Sequence, residues 1–127
     1  MIKSLIVIFI GGGIGSCLRF MFSIWMNADS IKWIPTLAVN ILGCLILGIL
    51  LALNEKSQLQ DNLYLMLAVG FCGGLTTFST FSSELFFLVK QTEYVSAAVY
   101  FLLSCFVGLI AVAAGFMCTK YSLSGIN

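Results

Sequence analysis

The sequence predicts an all-α integral membrane protein with four transmembrane helices, based on its composition and on four long apolar stretches. Of the 127 residues, 61% are hydrophobic and 9% are charged, and the mean hydropathy is +1.11. A soluble domain carries about 25% charged residues, and one of this size could not bury so many apolar side chains. Each apolar stretch reaches the ~20 residues that cross a bilayer as a helix. We therefore expect one membrane domain over residues 1–127, surrounded by lipid.

Short polar connectors separate the four predicted spans. The spans are Ser4–Met26, Trp33–Leu53, Leu63–Val89 and Val95–Cys118. The connectors are "NADSIK", "NEKSQLQDN" and "KQTE", and we expect the tail "TKYSLSGIN" to form no further domain. The first span is too long for the apolar core of a signal peptide and is not followed by a small-x-small cleavage site, so we expect it to be retained. Four spans place both termini on the same side of the membrane.

The first span contains a glycine motif and one charge. Gly11 and Gly15 form a G-x-x-x-G pattern, as Gly70 and Gly74 do in the third span. Small residues at this spacing let membrane helices approach closely, so we expect tight helix contacts. An arginine at a helix centre costs roughly 2.5–3.5 kcal/mol. Arg19 either extends to the nearby water interface or provides a fixed positive charge at the entrance of an anion path.

The second span contains one buried amide, Asn40. It lies seven residues after Trp33, the first residue of the span, which is too deep for an easy escape to water. An amide at this depth either hydrogen-bonds a neighbouring helix or offers its N–H donors to a passing solute. The composition leaves both alternatives open.

The third span contains an unusual run of hydroxyl groups. Six of the eight residues from Thr76 to Ser83 are serine or threonine. One or two hydroxyls could bond a carbonyl of their own helix, but six cover every face of it. Glycines before the run weaken the helix, and irregular backbone at membrane depth is tolerated only where protein or a cavity satisfies its polar groups. We therefore predict that the third helix is broken near its middle, where its freed backbone groups line a cavity or find protein partners.

The two remaining residues of this run are Phe78 and Phe81, which lie on one helix face because they are three residues apart. A phenylalanine pair alone is typical of packing. Ring edges are electropositive, however, and together with several hydroxyls they give a weakly positive path without a full charge. Such a path suits a small anion that must bind and leave quickly.

The positive residues of the connectors give almost no preferred orientation. The side of the termini carries Lys3, Lys56 and Lys120. The other side carries Lys32 and Lys90, with Arg19 in the nearer half of the first span. This weak bias either arises by chance in a small protein or indicates insertion in both orientations, followed by pairing with an inverted copy.

Composition also excludes several classes of function. The chain has no histidine, the commonest general base and a frequent metal ligand, so we expect no enzyme. The net charge of +1 and the lack of a basic cluster argue against nucleic acid as a partner. Five cysteines lie in or beside apolar stretches without a C-x-x-C pair, which is typical of small buried residues.

Three segments resemble the Fluc (CrcB-type) fluoride channels over essentially the whole chain. They are "GFCGGLTTFSTF" (Gly70–Phe81), which is highly specific, and the supporting "GGGIGSCLRF" (Gly11–Phe20) and "NILG" (Asn40–Gly43). The resemblance implies an antiparallel, dual-topology homodimer with two pores that exports fluoride passively across a prokaryotic inner membrane. Ser16 stands where that family usually has alanine.

The resemblance also implies roles for individual residues. Phe78 and Phe81 would direct their ring edges at the anion, and Asn40 would line the pore. The backbone carbonyls of Gly73 and Thr76 would hold a structural sodium ion on the two-fold axis, two from each subunit.

Five further residues have expected positions along the pore by the same resemblance. Ser79 and Thr80 belong to the polar stretch, and Ser104 in the fourth span is a further polar candidate. Arg19 would lie near an aqueous vestibule, and Glu84 would match an acidic position at the vestibule side.

Two other classes compete with this interpretation. Small four-helix, dual-topology multidrug exporters match the size, but they depend on a glutamate in the first helix, where this chain has no acid. A structural or unselective pore-forming protein would explain the hydropathy and the glycines but not the run of hydroxyls and rings.

Overall fold

The computed structural model describes residues 1–26 and 31–124, and every regular element in these ranges is a helix. Helix α1 is Ile2–Trp25 and α2 is Ile34–Glu55. Helix α3 covers residues 61–75, with α-helical ends at Asp61–Tyr64 and Gly73–Leu75 and a wider π-helical stretch, Leu65–Cys72, between them. Helix α4 is Phe78–Lys90 and α5 is Tyr94–Ser124.

Four segments are long and apolar enough to cross a membrane, which confirms the predicted fold class. Helices α3 and α4 together form the third segment, whose mean hydropathy of 1.4 is below the 2.0–2.5 of the others because it contains the hydroxyl run. The boundaries differ from the predicted ones, most at the last helix, which continues beyond Cys118 to Ser124. Residues 27–30 of the first predicted connector and 125–127 of the tail lie outside the described residues.

The two predicted glycine motifs pack against each other and join α1 to α3. A Cβ atom added at Gly11 would overlap the backbone of Met66, and one at Gly15 would overlap that of Phe71. A Cβ at Gly74 would overlap Gly12 in the same way. The expected tight helix contacts are therefore present, as backbone-to-backbone packing.

A second glycine pair, which the sequence analysis did not single out, joins α2 to α5. A Cβ added at Gly48 would overlap the Val112 carbonyl, and one at Gly115 would overlap the Leu45 carbonyl. The α1–α3 pair and the α2–α5 pair meet at the break in the third segment. Val39 and Tyr100 are the largest fully buried side chains among the described residues, and both lie close to this break.

Candidate functional site

The third membrane segment is interrupted by two extended residues at the start of the hydroxyl run. Thr76 has φ −80° and ψ 155°, and Thr77 has φ −148° and ψ 117°. Each threonine partly compensates for the lost helical hydrogen bonds. The Thr76 hydroxyl donates to the Cys72 carbonyl at 2.8 Å, and the Thr77 hydroxyl accepts the Thr80 N–H at 3.2 Å. The predicted break is confirmed, and Thr77 caps the helix that follows it.

Asn40 of α2 binds both backbone polar groups of Thr77. The Thr77 N–H donates to Asn40 Oδ1 at 2.8 Å, and Asn40 Nδ2 donates to the Thr77 carbonyl at 3.3 Å. Of the two alternatives for this amide, the structure therefore places it as a link between helices. Since an amide nitrogen carries two hydrogens, the second N–H is not required for this pairing.

Arg19 of α1 approaches the same break from the other side. Its Nε donates to the Gly74 carbonyl at 3.1 Å, and the Ser16 hydroxyl lies 3.5 Å from that oxygen. Arg19 and Ser16 line a cavity of about 360 Å³ together with Thr36, Thr77 and Thr80. Thr80, predicted as part of the polar stretch, thus lies on the Arg19 side of the break. Its neighbour Ser79 is exposed, with its hydroxyl 3.3 Å from that of Thr77.

An open groove of about 390 Å³ lies on the opposite side of the break. Its lining includes six of the predicted site residues: Asn40, Gly73, Thr76, Phe78, Phe81 and Ser104. The two phenylalanine rings are 5.8 Å apart between centroids, but Phe81 is only 7% exposed whereas Phe78 is 79% exposed. The Ser104 hydroxyl is buried and has no hydrogen-bond partner within the described part of the chain. The groove therefore presents a free hydroxyl donor and an exposed ring to one space.

Glu84 belongs to a third group, which the sequence analysis only partly found. Its Oε1 accepts the Thr36 hydroxyl at 2.8 Å, and its Oε2 accepts the Tyr100 hydroxyl at 2.7 Å. The Tyr100 ring stacks on Trp33 with centroids 4.8 Å apart and meets the Phe81 ring edge-on at 5.0 Å. Thr36 and Tyr100 were not predicted. The spacing of Tyr100 and Ser104, which are four residues apart on one helix face, was a signal that could have pointed to Tyr100.

Glu84 also lines a larger cavity at the end of the helices. This cavity has a volume of about 580 Å³, and its lining includes Lys32, Gln91 and Glu93. Side-chain contacts run from the groove to this outer cavity, from Phe81 to Tyr100 and from Tyr100 to Glu84. No group of three or more acidic, cysteine or histidine side chains in residues 1–26 and 31–124 is placed to hold a metal ion.

Comparison with known proteins identifies the family. The family model described as "CrcB-like protein, Camphor Resistance (CrcB)" matches residues 6–116, which cover the break and all three groups of polar residues. The chain belongs to the CrcB-like family.

Three curated relatives support this membership, and each is called "Fluoride-specific ion channel FluC". The protein of Phocaeicola vulgatus is 42% identical over 115 residues, 89% of this chain and 95% of its own length. That of Azobacteroides pseudotrichonymphae is 40% identical over 124 residues, 95% and 99% of the two chains. That of Serratia proteamaculans is 42% identical over 120 residues, 92% and 94%. The likeness therefore extends over nearly the full length of these CrcB-like channels.

Proposed function

We propose that this protein is a passive, fluoride-selective channel that exports cytoplasmic fluoride across a bacterial inner membrane. The observation that carries the proposal is the similarity, over nearly the whole chain, to bacterial relatives whose names specify a fluoride channel. CrcB-like membership also removes the small multidrug exporter that remained as an alternative. The relatives are named as channels, in agreement with the expectation that the chain is not an enzyme.

The groove beside the break is the proposed path for the anion. Ser104 offers an O–H donor without another partner, and the exposed Phe78 ring offers an electropositive edge. No aspartate or glutamate lines the groove, so an anion there is not repelled by a carboxylate of the lining. Fluoride would exchange water for these weak donors, which hold it without trapping it.

Tyr100 and Glu84 continue the path toward the outer cavity. The hydroxyls of Tyr100 and Thr36 donate to the Glu84 carboxylate. A fluoride ion that reaches this point would therefore meet hydroxyl donors that already hydrogen-bond Glu84. The carboxylate and the anion therefore compete for the same two hydroxyls. Lys32, in the lining of the cavity beyond them, supplies a positive charge at the exit.

The pore is proposed to be completed by a second, inverted copy of the chain. One side of the groove is open, Gly73 is exposed, and Phe78 directs most of its surface outward. Because the groove is open on this side, a further wall is needed to keep bulk water away from the Phe78 ring and the free Ser104 hydroxyl. The nearly balanced connector charges favour pairing in antiparallel orientation, with one pore on each side of the two-fold axis.

A structural sodium ion is proposed on that axis, held by the carbonyls of Gly73 and Thr76 from both subunits. The chemistry of the break fits it, since the two residues line one open groove and their carbonyls are the hard oxygen donors that discontinuous helices offer to sodium. A Cβ added at Gly73 would meet nothing within 4 Å, so space is left around this backbone. Two carbonyls from one chain are too few for a cation, which makes the second copy part of the site.

Ion efflux from liposomes that contain the purified protein tests the proposed function. Fluoride and chloride are loaded at equal concentration and released without a proton gradient, and each is followed with an ion-selective electrode. We expect rapid loss of fluoride while chloride stays inside. Loss of both ions would indicate an unselective pore, and loss of neither would contradict a passive channel.

A further inference from the structure

The broken segment frees several backbone groups, and side chains of two other helices determine which of them stay free. A continuous helix would direct the N–H groups of Thr77 and Phe78 at the carbonyls of Gly73 and Gly74. At the break, the Thr77 N–H donates instead to Asn40, and the Gly74 carbonyl accepts from Arg19. The Gly73 carbonyl thus loses its helical donor, whereas the carbonyl next to it gains a new one.

We infer that Arg19 is a positioning residue for this break, acting through its Nε–H on the Gly74 carbonyl. The inference rests on the sodium site of the proposed function. With Gly74 O held toward α1, the Gly73 carbonyl on the groove side is the one left for a cation. The role belongs to one N–H donor at one position along the side chain, and the positive charge of the guanidinium is not required for it.

Backbone packing supports a fixed position for this carbonyl. Gly74 lies so close to Gly12 of α1 that a Cβ atom would not fit between them. The Ser16 hydroxyl, 3.5 Å from the same oxygen, is a weaker second donor. Helix α1 therefore contacts this turn of α3 at three points, and Arg19 provides the shorter of the two polar contacts.

Two substitutions separate the donor from the charge. In Arg19→Gln, the amide nitrogen lies the same number of bonds from Cα as Nε, so the donor is kept and the charge is lost. In Arg19→Met, a side chain of similar length carries neither. If Arg19 serves only as a positive charge near the anion path, the two variants behave alike.

The sodium dependence of thermal stability measures the effect without using transport. The melting temperature of the purified dimer in detergent is recorded over a sodium titration, with N-methylglucamine maintaining the ionic strength. A ligand that binds only the folded state raises this temperature with its concentration. We expect Arg19→Gln to keep the half-saturating sodium concentration within about threefold of the unsubstituted protein, and Arg19→Met to raise it about tenfold, because it loses one hydrogen bond.

Equal half-saturation in the two variants, or a shift of tenfold in Arg19→Gln, would overturn the inference. The Gln variant alone decides if Arg19→Met does not fold. A lack of sodium dependence in the unsubstituted protein would also overturn it, since there would be no site to position. The proposed function fails separately, by lack of fluoride efflux, and a sodium response that distinguishes the two variants would survive that failure.

Discussion

Ser104 carries a buried hydroxyl group for which the described residues offer no hydrogen-bond partner. An unsatisfied buried polar group costs about 1–3 kcal/mol. A membrane helix retains such a group where a ligand uses it, and intramembrane polar residues are expected to be functional for this reason. Its place in the groove with Phe78 and Phe81 makes fluoride the ligand that fits this account.

Ser104→Ala should therefore affect transport and stability differently. We expect fluoride efflux to fall about tenfold, the equivalent of ~1.4 kcal/mol, while the melting temperature stays equal or rises. The matched control is Ser83→Ala. The exposed Ser83 hydroxyl donates to the Thr80 carbonyl at 2.9 Å, and Ser83 does not line the groove. Unchanged efflux in Ser104→Ala, or equal losses in both variants, would contradict a role for this hydroxyl in the path.

The sequence could not predict the hydrogen-bond partners of the polar atoms at the proposed site. Asn40 illustrates this limit, because its depth in the span predicted a functional or structural amide but could not show that both ends pair with Thr77. Glu84 was predicted as a vestibule charge, but its two hydroxyl partners come from α2 and α5. Such contacts depend on how helices are rotated against one another, which a single hydropathy pattern does not determine. The roles of the site residues in transport stay predictions.

At the scale of the elements, the break in the third segment places two opposite helix ends side by side. Helix α3 ends with free carbonyls, a partial negative charge, and α4 begins with free N–H groups, a partial positive charge. One interruption thus supplies backbone oxygens for the proposed cation and a positive helix end for the anion. Two hydroxyls of the run satisfy backbone groups at this point: that of Thr76 donates to the Cys72 carbonyl, and that of Thr77 accepts the Thr80 N–H.

The two glycines of the α1 motif are expected to be essential for packing. Gly11→Ala should destabilise the protein by about 1–3 kcal/mol or more, because the added methyl group overlaps the backbone at Met66. Thermal unfolding in detergent measures this change.

Gly13→Ala is the matched control, since a Cβ there meets nothing within 4 Å and alanine is the better helix former. We expect the melting temperature of this variant to stay equal or rise. A melting temperature for Gly11→Ala as high as that of the control would contradict the packing of α1 on α3.

The sequence predicted the spans and the break well because hydropathy and glycine content act locally. It did not predict the π-helical stretch Leu65–Cys72, which lies where α3 meets the glycines of α1. Its wider turns belong to the contact between helices and leave no trace in the hydropathy of the segment. The end of α5 was also placed too early, because polar residues after Cys118 do not stop a helix that extends beyond the lipid.

At the scale of the whole molecule, the proposed pore requires two copies of the chain in opposite orientations. Arginines added on one side should fix the orientation of each chain, following the positive-inside rule. We expect Gln58→Arg with Gln60→Arg to insert one way, and Gln91→Arg with Glu93→Arg to insert the other way.

Each of these double variants should transport little fluoride alone, and coexpression of the two should restore it. Fluoride efflux from membrane vesicles with matched protein levels is the measurement. Full transport by each variant alone, with the orientation fixed, would contradict the antiparallel dimer.

The central claim is that fluoride passes the groove beside the break, and one paired substitution tests it most directly. Phe78 and Phe86 are both strongly exposed phenylalanines of α4, but only Phe78 lines the groove. Fluoride efflux from liposomes is measured for Phe78→Ile and for Phe86→Ile at equal amounts of dimer. We predict that Phe78→Ile abolishes most of the flux, because isoleucine has no electropositive ring edge, and that Phe86→Ile transports normally. Normal flux in both variants would contradict the claim.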